Sequence, residues 1–196
     1  MTRPNLVKLY EDYCESFPFG LTQDAKPWQW TEGVKGFWID QGEGRQYKVK
    51  VRGNIRGKPD QPRHPDHEPK EFMIDVVWED MADGHRCLQL VMECEWDRKR
   101  EDKEFDFRKI LHSRAYSKVF VFDVGKRTDL AQPGGLVHHF YQLIRGCKIA
   151  QQPPEEYLLI CHRDGPGTYT TINGFLVPSG GNLQELPEQR RDVPRQ

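Results

Sequence analysis

No run of apolar residues approaches the roughly 18 needed to cross a bilayer as a helix. The opening stretch from Met1 to Tyr10 lacks the apolar segment of a secretory signal. Cysteine is sparse and scattered: Cys14, Cys87, Cys94, Cys147 and Cys161 form no CxxC pair. That spacing speaks against a zinc ribbon and against a disulfide scaffold, and predicts reduced thiols in a cytoplasm. An excess of either charge is missing too. Lys+Arg number 29 and Asp+Glu 30, for a net charge of -1. This excludes a histone-like basic binder and an acidic tail protein.

Several chemical signatures are also absent. There is no glycine-rich phosphate loop of the P-loop or dinucleotide type. Ser113 and Ser179 lack a GxSxG elbow. His64, Asp66, His67, His138 and His139 have no zinc-ligand spacing.

What is present is a chain of 196 residues with 5 Trp, 7 Tyr and 10 Phe, enough bulk for one core although hydrophobic residues are only 36%. The length suits one domain, taken as residues 1–177. Residues 178–196 are rich in Gly, Gln and Arg and are expected to be a flexible tail.

Leu6, Leu9, Tyr10, Tyr13 and Phe17 recur at helical steps, so 6–17 predicts a helix stopped by Pro18 and Gly20. Trp28, Trp30, Phe37 and Trp38 read as an irregular aromatic stretch over the core. Residues 37–40 and 45–54 flank Gly42-Glu43-Gly44 and predict an N-terminal hairpin. In its second arm, Tyr47, Val49 and Val51 alternate with Lys48, Lys50 and Arg52. Residues 58–70 hold four prolines and read as a loop.

Strands are predicted at 72–78 and 87–96 around a turn at 80–85. The mixed-charge run 97–104 reads as a surface loop. A helix follows that carries Phe107, Ile110, Leu111 and Ala115, then a strand at 118–124. A second helix carries Leu136, Phe140, Leu143, Ile144 and Cys147. Strands at 157–162 and 168–177 form a C-terminal hairpin. The order predicts an α/β fold with a mixed sheet and a right-handed βαβ connection.

Asp75 stands in the apolar run Phe72-Met73-Ile74-Asp75-Val76-Val77-Trp78, and Glu93 and Glu95 end the run Leu90-Val91-Met92-Glu93-Cys94-Glu95-Trp96. Carboxylates in such runs oppose both strand propensity and burial. Period two sets Val91, Glu93 and Glu95 on one face and Leu90, Met92, Cys94 and Trp96 on the core face. Pairing about the turn brings Asp75 near Glu93. Crowded carboxylates call for a compensating cation. Oxygen ligands of this kind suit Mg²⁺ or Mn²⁺, which activates water and neutralises a leaving oxygen at a phosphodiester.

The segment 70–124 resembles the PD-(D/E)XK nuclease superfamily. The resemblance rests on Ile74-Asp75-Val76-Val77, Val91-Met92-Glu93-Cys94-Glu95, the helix with Phe105-Asp106-Phe107-Arg108-Lys109 and the strand Lys118-Val119-Phe120-Val121-Phe122. It implies a restriction-endonuclease-like mixed sheet flanked by helices, with the helix at 6–17 as the first helix. It implies Asp75 and Glu93 as metal ligands, joined by the Cys94 carbonyl and by a first-helix carboxylate, Glu15 or Glu11. The superfamily's lysine position holds Glu95, as in some restriction enzymes. Lys109, on the following helix, is expected to take the lysine's part at the water and the phosphate.

Lys48, Lys50, Arg52 and Arg56 form a basic stretch suited to a phosphate backbone; a charged sheet edge accounts for the same residues. The expectation is a Mg²⁺-dependent nuclease acting on DNA, without a membrane partner. The alternative is an inactive module of the same fold that binds nucleic acid or protein, as a homodimer or as a subunit of a larger assembly.

Overall fold

A computed structural model of the chain describes residues 3–52, 74–82, 85–97, 99–147, 155–164 and 169–194. Residues 119–122 and 157–161 are apolar without interruption, the pattern of strands covered on both faces. They form the middle of an open mixed sheet. In chain order the elements are α1 (Leu6–Ser16), α2 (Pro27–Gly44), β1 (Lys48–Val51), β2 (Val76–Ala82), β3 (His85–Glu95), α3 (Arg100–Leu111), β4 (Ala115–Gly125), α4 (Leu136–Gly146), β5 (Glu156–Asp164), β6 (Tyr169–Val177), β7 (Gln184–Glu185) and β8 (Gln189–Asp192).

The eight-stranded sheet runs β1-β2-β3-β4-β5-β6-β7, with β8 also on β6. β1, β2 and β3 pair antiparallel. β3, β4 and β5 pair parallel, joined through α3 and α4. β6 turns back antiparallel to β5.

Each face of the sheet carries its own helices and its own core. On one face α1 and α2 bury Leu9, Tyr13, Val34 and Trp38 against Trp78, Leu90, Met92, Val119, Val121 and Ile160. On the other, α3 and α4 bury Phe107, Ile110 and Phe140 against Val77, Val91, Phe120, Phe122 and Leu159. Among the described residues no helix is long and apolar enough to cross a membrane.

Five sequence expectations change. Residues 37–40 are not a hairpin arm but part of α2. Val34, Phe37 and Trp38 are buried at helical spacing, and the Gln29 side chain accepts the Lys26 N–H at 2.8 Å to start the helix. The glycines that suggested a turn permit close packing instead: a Cβ on Gly42 would lie 2.6 Å from Trp78 Nε1. β1 therefore pairs with β2, Val49 facing Trp78 and Lys50 facing Val77.

The turn after β2 is shorter than 80–85, because pairing continues to Ala82↔His85. The run 97–104 is largely helical, since α3 starts at Arg100, and Ala115 opens β4 rather than extending α3. Within 178–196, the expected tail, β7 and β8 pair along β6. Val193 is buried there, and Pro187 O accepts the Tyr10 hydroxyl at 2.9 Å. The loop at 58–70 and the turn at 165–167 lie outside the described residues.

Candidate functional site

The β2–β3 register, Val76↔Met92, sets residue 75 across from residue 93 one step further on. The β1–β2 register, Val51↔Val76, sets Arg52 beside Asp75, and Arg52 N–H donates to Asp75 O at 3.0 Å. Glu93 in turn pairs with Phe120 of β4. One cross-strand row thus reads Arg52, Asp75, Glu93, Phe120. It lies where the antiparallel half of the sheet meets the parallel half.

Both carboxylates are withdrawn from water: Asp75 is 7% exposed and Glu93 1%. Asp75 Oδ1 meets Lys35 Nζ of α2 at 2.7 Å. Its Oδ2 accepts the Cys94 amide at 3.1 Å and the Cys94 thiol at 3.4 Å. Burial, and then the charge of Asp75, push the thiol pKa well up, so Cys94 stays an S–H donor. Cys94 thus enters the site through its amide and thiol as donors.

Glu93 Oε1 lies 3.5 Å from Lys109 Nζ of α3, which also pairs closely with Asp106 one turn earlier. Burial raises the Glu93 pKa to about 9, and the charge of Asp75 adds to the rise, with Lys109 opposing. For Lys109, burial would lower the pKa. Asp106 and Glu93 outweigh it, and the ammonium is held above its ordinary value.

Glu95 lies one pleat along β3. Burial, and then a hydrogen bond shared with Asp106, raise its pKa, while its Oε1 accepts the Asp97 N–H at 2.6 Å. Glu95 is therefore linked to Lys109 through Asp106. The chain of polar groups runs Lys35, Asp75, Glu93, Lys109, Asp106, Glu95, two pairs of neighbouring carboxylates each reached by a lysine.

The first-helix carboxylates do not join this chain. Glu15 and Glu11 are exposed on α1, which packs against β6 and β5. The electrostatic neighbours of Glu15 are Lys8 and Cys14, and Glu11 lies 3.8 Å from Lys8. α1 turns its apolar stripe to the sheet, and that stripe leaves both glutamates outward.

The basic stretch divides. Lys50 pairs at 3.0 Å with Glu79, itself 2% exposed, so its charge is spent inside the fold. Lys48, which opens β1, is half-buried, and Arg52, just beyond its end, is exposed. Arg56 lies outside the described residues. Lys35 and Asp106 are the two members of the site that sequence reasoning did not assign. A helical reading of 27–44, with Val34, Phe37 and Trp38 inward, was the signal that would have set Lys35 beside β2.

Two carboxylates meet here rather than three. Among the described residues no group of three or more His, Cys, Asp or Glu is placed to hold a metal ion. The donor set is nonetheless hard oxygen, and Mg²⁺ takes one or two carboxylates and completes its shell with water. Asp75 and Glu93 fit that demand, each with an ammonium at the position of competing positive charge.

No family model, no curated protein and no solved structure matches this chain.

Proposed function

We propose that the chain is a divergent PD-(D/E)XK nuclease, with a restriction-endonuclease-like fold, that hydrolyses DNA phosphodiester bonds with Mg²⁺ or Mn²⁺ held by Asp75 and Glu93. One observation carries the reading. Two buried carboxylates stand side by side, and the second is destabilised as an anion by burial and by the first. A divalent cation relieves both strains at once. The order strand, turn, strand, helix, strand, on which the resemblance rests, recurs in β2, β3, α3 and β4.

When bound, the metal supplies a Lewis acid at the phosphate and a water of lowered pKa. The rest falls to side chains. Lys109 is within reach of Glu93 and is aligned by Asp106, so its ammonium is available to orient a water and to neutralise charge on the phosphate. Glu95 keeps Asp106 in place through their shared hydrogen bond, and burial followed by that bond raises its pKa, which makes it a stronger proton acceptor than an ordinary carboxylate. Arg52 and Lys48 are the described basic residues from which a DNA backbone is reached along β1.

A second reading has its own support. Lys35 and Lys109 already compensate the two carboxylates, 2.7 Å and 3.5 Å away. In a catalytically inactive module such pairs tie α2 and α3 to the sheet, and the surface binds nucleic acid or protein without cleaving. Metal separates the two. Thermal unfolding is measured with and without millimolar Mg²⁺ or Mn²⁺ for wild type and Asp75→Asn, together with plasmid nicking. Stabilisation and nicking that both vanish in the variant support the nuclease. Nicking that survives both Asp75→Asn and Glu93→Gln overturns the assignment, and no response to metal favours the inactive module.

A further inference from the structure

The carboxyl end of β4 opens into a cleft of about 510 Å³, lined by Arg100, Lys103, Asp123, Lys126, Arg127 and Leu136 among others. Its volume is in the range of small-ligand sites, roughly 300–1,000 Å³. Four cations line it against one carboxylate. That carboxylate is engaged: Asp123 Oδ1 accepts the Gly125 N–H at 2.8 Å across the turn that ends β4.

Two helices begin at this cleft. Arg100 is the first residue of α3, a helix of 12 residues, and Leu136 the first of α4, of 11 residues. Neither has a side-chain cap at its N-terminus, and α4 has no acidic residue in its first turn. The α4 pole is unopposed within its own first turn, whereas Glu101 and Asp102 in the first turn of α3 offset the pole there.

Lys103 is the second, independent observation. It lines the cleft and yet is only 2% exposed. Among the described residues its side chain has no hydrogen-bond or ion-pair partner. Its field comes from Asp123, Glu95 and Asp97 at longer range, and burial outweighs them, lowering its pKa. The residue is almost wholly buried and meets the cleft, so its ammonium is poorly solvated and placed to take an anion that enters.

We propose that this cleft binds a phosphate group of a nucleotide or of a nucleic-acid 5′ end, seated on Lys103 between the N-termini of α3 and α4 and flanked by Arg100, Lys126 and Arg127. The proposal uses neither Asp75 nor a metal, so it stands or falls apart from the nuclease reading.

The test uses the full chain in chelator, at matched ionic strength. Isothermal titration is run with inorganic phosphate, pyrophosphate, a nucleoside triphosphate, and one oligonucleotide with a 5′-phosphate or a 5′-hydroxyl. At least one phosphate ligand is expected to bind, and Lys103→Met to weaken it about tenfold or more, the loss of one charge-assisted contact. Arg127→Ala, at an exposed position that does not threaten folding, is expected to weaken it several-fold. Glu11→Gln, exposed on α1 and not among the residues lining the cleft, is expected to bind as wild type does.

Preference for the 5′-phosphorylated oligonucleotide over its 5′-hydroxyl twin assigns the site to strand ends. Preference for the triphosphate or pyrophosphate assigns it to free nucleotides. No binding of any of these at millimolar concentration overturns the proposal, as does equal affinity in wild type and Arg127→Ala together with Lys103→Met. If Lys103→Met fails to fold, equal affinity in wild type and the Arg100→Ala/Arg127→Ala double variant overturns it.

Discussion

Glu93 offers the sharpest test of the proposed function, under which a proton and a divalent cation would compete for the same carboxylate. Burial, reinforced by Asp75, lifts its pKa from 4.5 to about 9 in the fold. The unfolded chain ionises the same group near its ordinary value, about 4.3. Between those two values the folded state holds a proton that the unfolded state has released. Stability therefore falls as pH rises across the window, by up to about 1.4 kcal/mol per unit. By pH 7 the accumulated cost is about 4 kcal/mol relative to the acid side of the window.

Glu93→Gln keeps the shape of the side chain and removes the titration. The assay is urea unfolding of both proteins without metal, at about pH 6.5, 7.5 and 8.5, read as the difference between them so that other groups cancel. The difference is expected to move in favour of the glutamine variant by about 1 kcal/mol per unit. A constant difference would mean that Glu93 is ionised in the folded state at neutral pH, and the case for an uncompensated carboxylate would collapse. The same proton governs metal. Binding at Glu93 must displace it, so the Mg²⁺ concentration giving half-maximal thermal stabilisation is expected to fall about tenfold per pH unit below 9. A midpoint that ignores pH refutes Glu93 as a ligand.

Three further predictions concern the frame around the site. Lys118 is fully buried and donates to Glu155 at 2.7 Å, Leu111 O at 3.1 Å and the Tyr157 hydroxyl at 3.2 Å. Lys118→Met is expected to cost about 3–5 kcal/mol in denaturant unfolding, because it leaves Glu155 buried against β4 without its cation; a loss under about 1 kcal/mol counts against that pair.

His162 accepts or shares the Tyr13 hydroxyl proton at 2.7 Å among Phe17 and Trp96, and burial lowers its pKa to about 3. Its neutral form supports folding above 6.5, and that support is lost as pH falls toward 3, by up to about 1.4 kcal/mol per unit. His162→Gln is expected to flatten the acid limb, and an unchanged acid slope would show that the imidazole protonates in place. On α2, Gly42→Ala drives a Cβ to 2.6 Å from Trp78 Nε1, while Gly36→Ala meets nothing within 4 Å. The first is expected to destabilise by about 1–3 kcal/mol and the second to stabilise by up to about 1 kcal/mol. Equal effects in thermal unfolding would argue against the helix.

The pair Asp75 and Glu93 was legible before any coordinates because a hairpin register needs only two strands and a short turn. Extending β2 to Ala82 and opening β3 at His85 shortened the turn without changing which residues face each other: the pair 75 and 93 continues the register from Val76↔Met92. The strands β4 and β5 were legible for a related reason. Their apolar runs satisfy both core faces and leave no alternative period. α2 was not legible. Gly33, Gly36, Gly42 and Gly44 depress helix propensity, and Gly42-Glu43-Gly44 imitates a turn. What overrides them is tertiary contact, Trp38 and Trp78 packing through Gly42 with Trp78 Nε1 donating to Trp38 O at 2.9 Å.

That miss explains the gap in the site. Lys35 comes from α2 and Lys109 from α3, so the two cations reach the carboxylates from helices on opposite faces of the sheet. A sequence reading that lost α2 saw an acidic cluster in need of a cation. With α2 restored, the cluster is two carboxylates, each with its own ammonium. The energetic question then becomes which positive charge wins. Lys109 at 3.5 Å is a loose partner that Asp106 draws away, whereas Lys35 at 2.7 Å is a close one. Glu93 is thus the less compensated of the two, and its raised pKa says the same. A cation arriving at this site gains most at Glu93. Replacing Lys35 with methionine should therefore strengthen metal binding through Asp75, while replacing Lys109 should leave metal binding intact and remove cleavage. Loss of metal binding in Lys109→Met, with cleavage retained in Lys35→Met, would reverse the roles assigned to the two lysines.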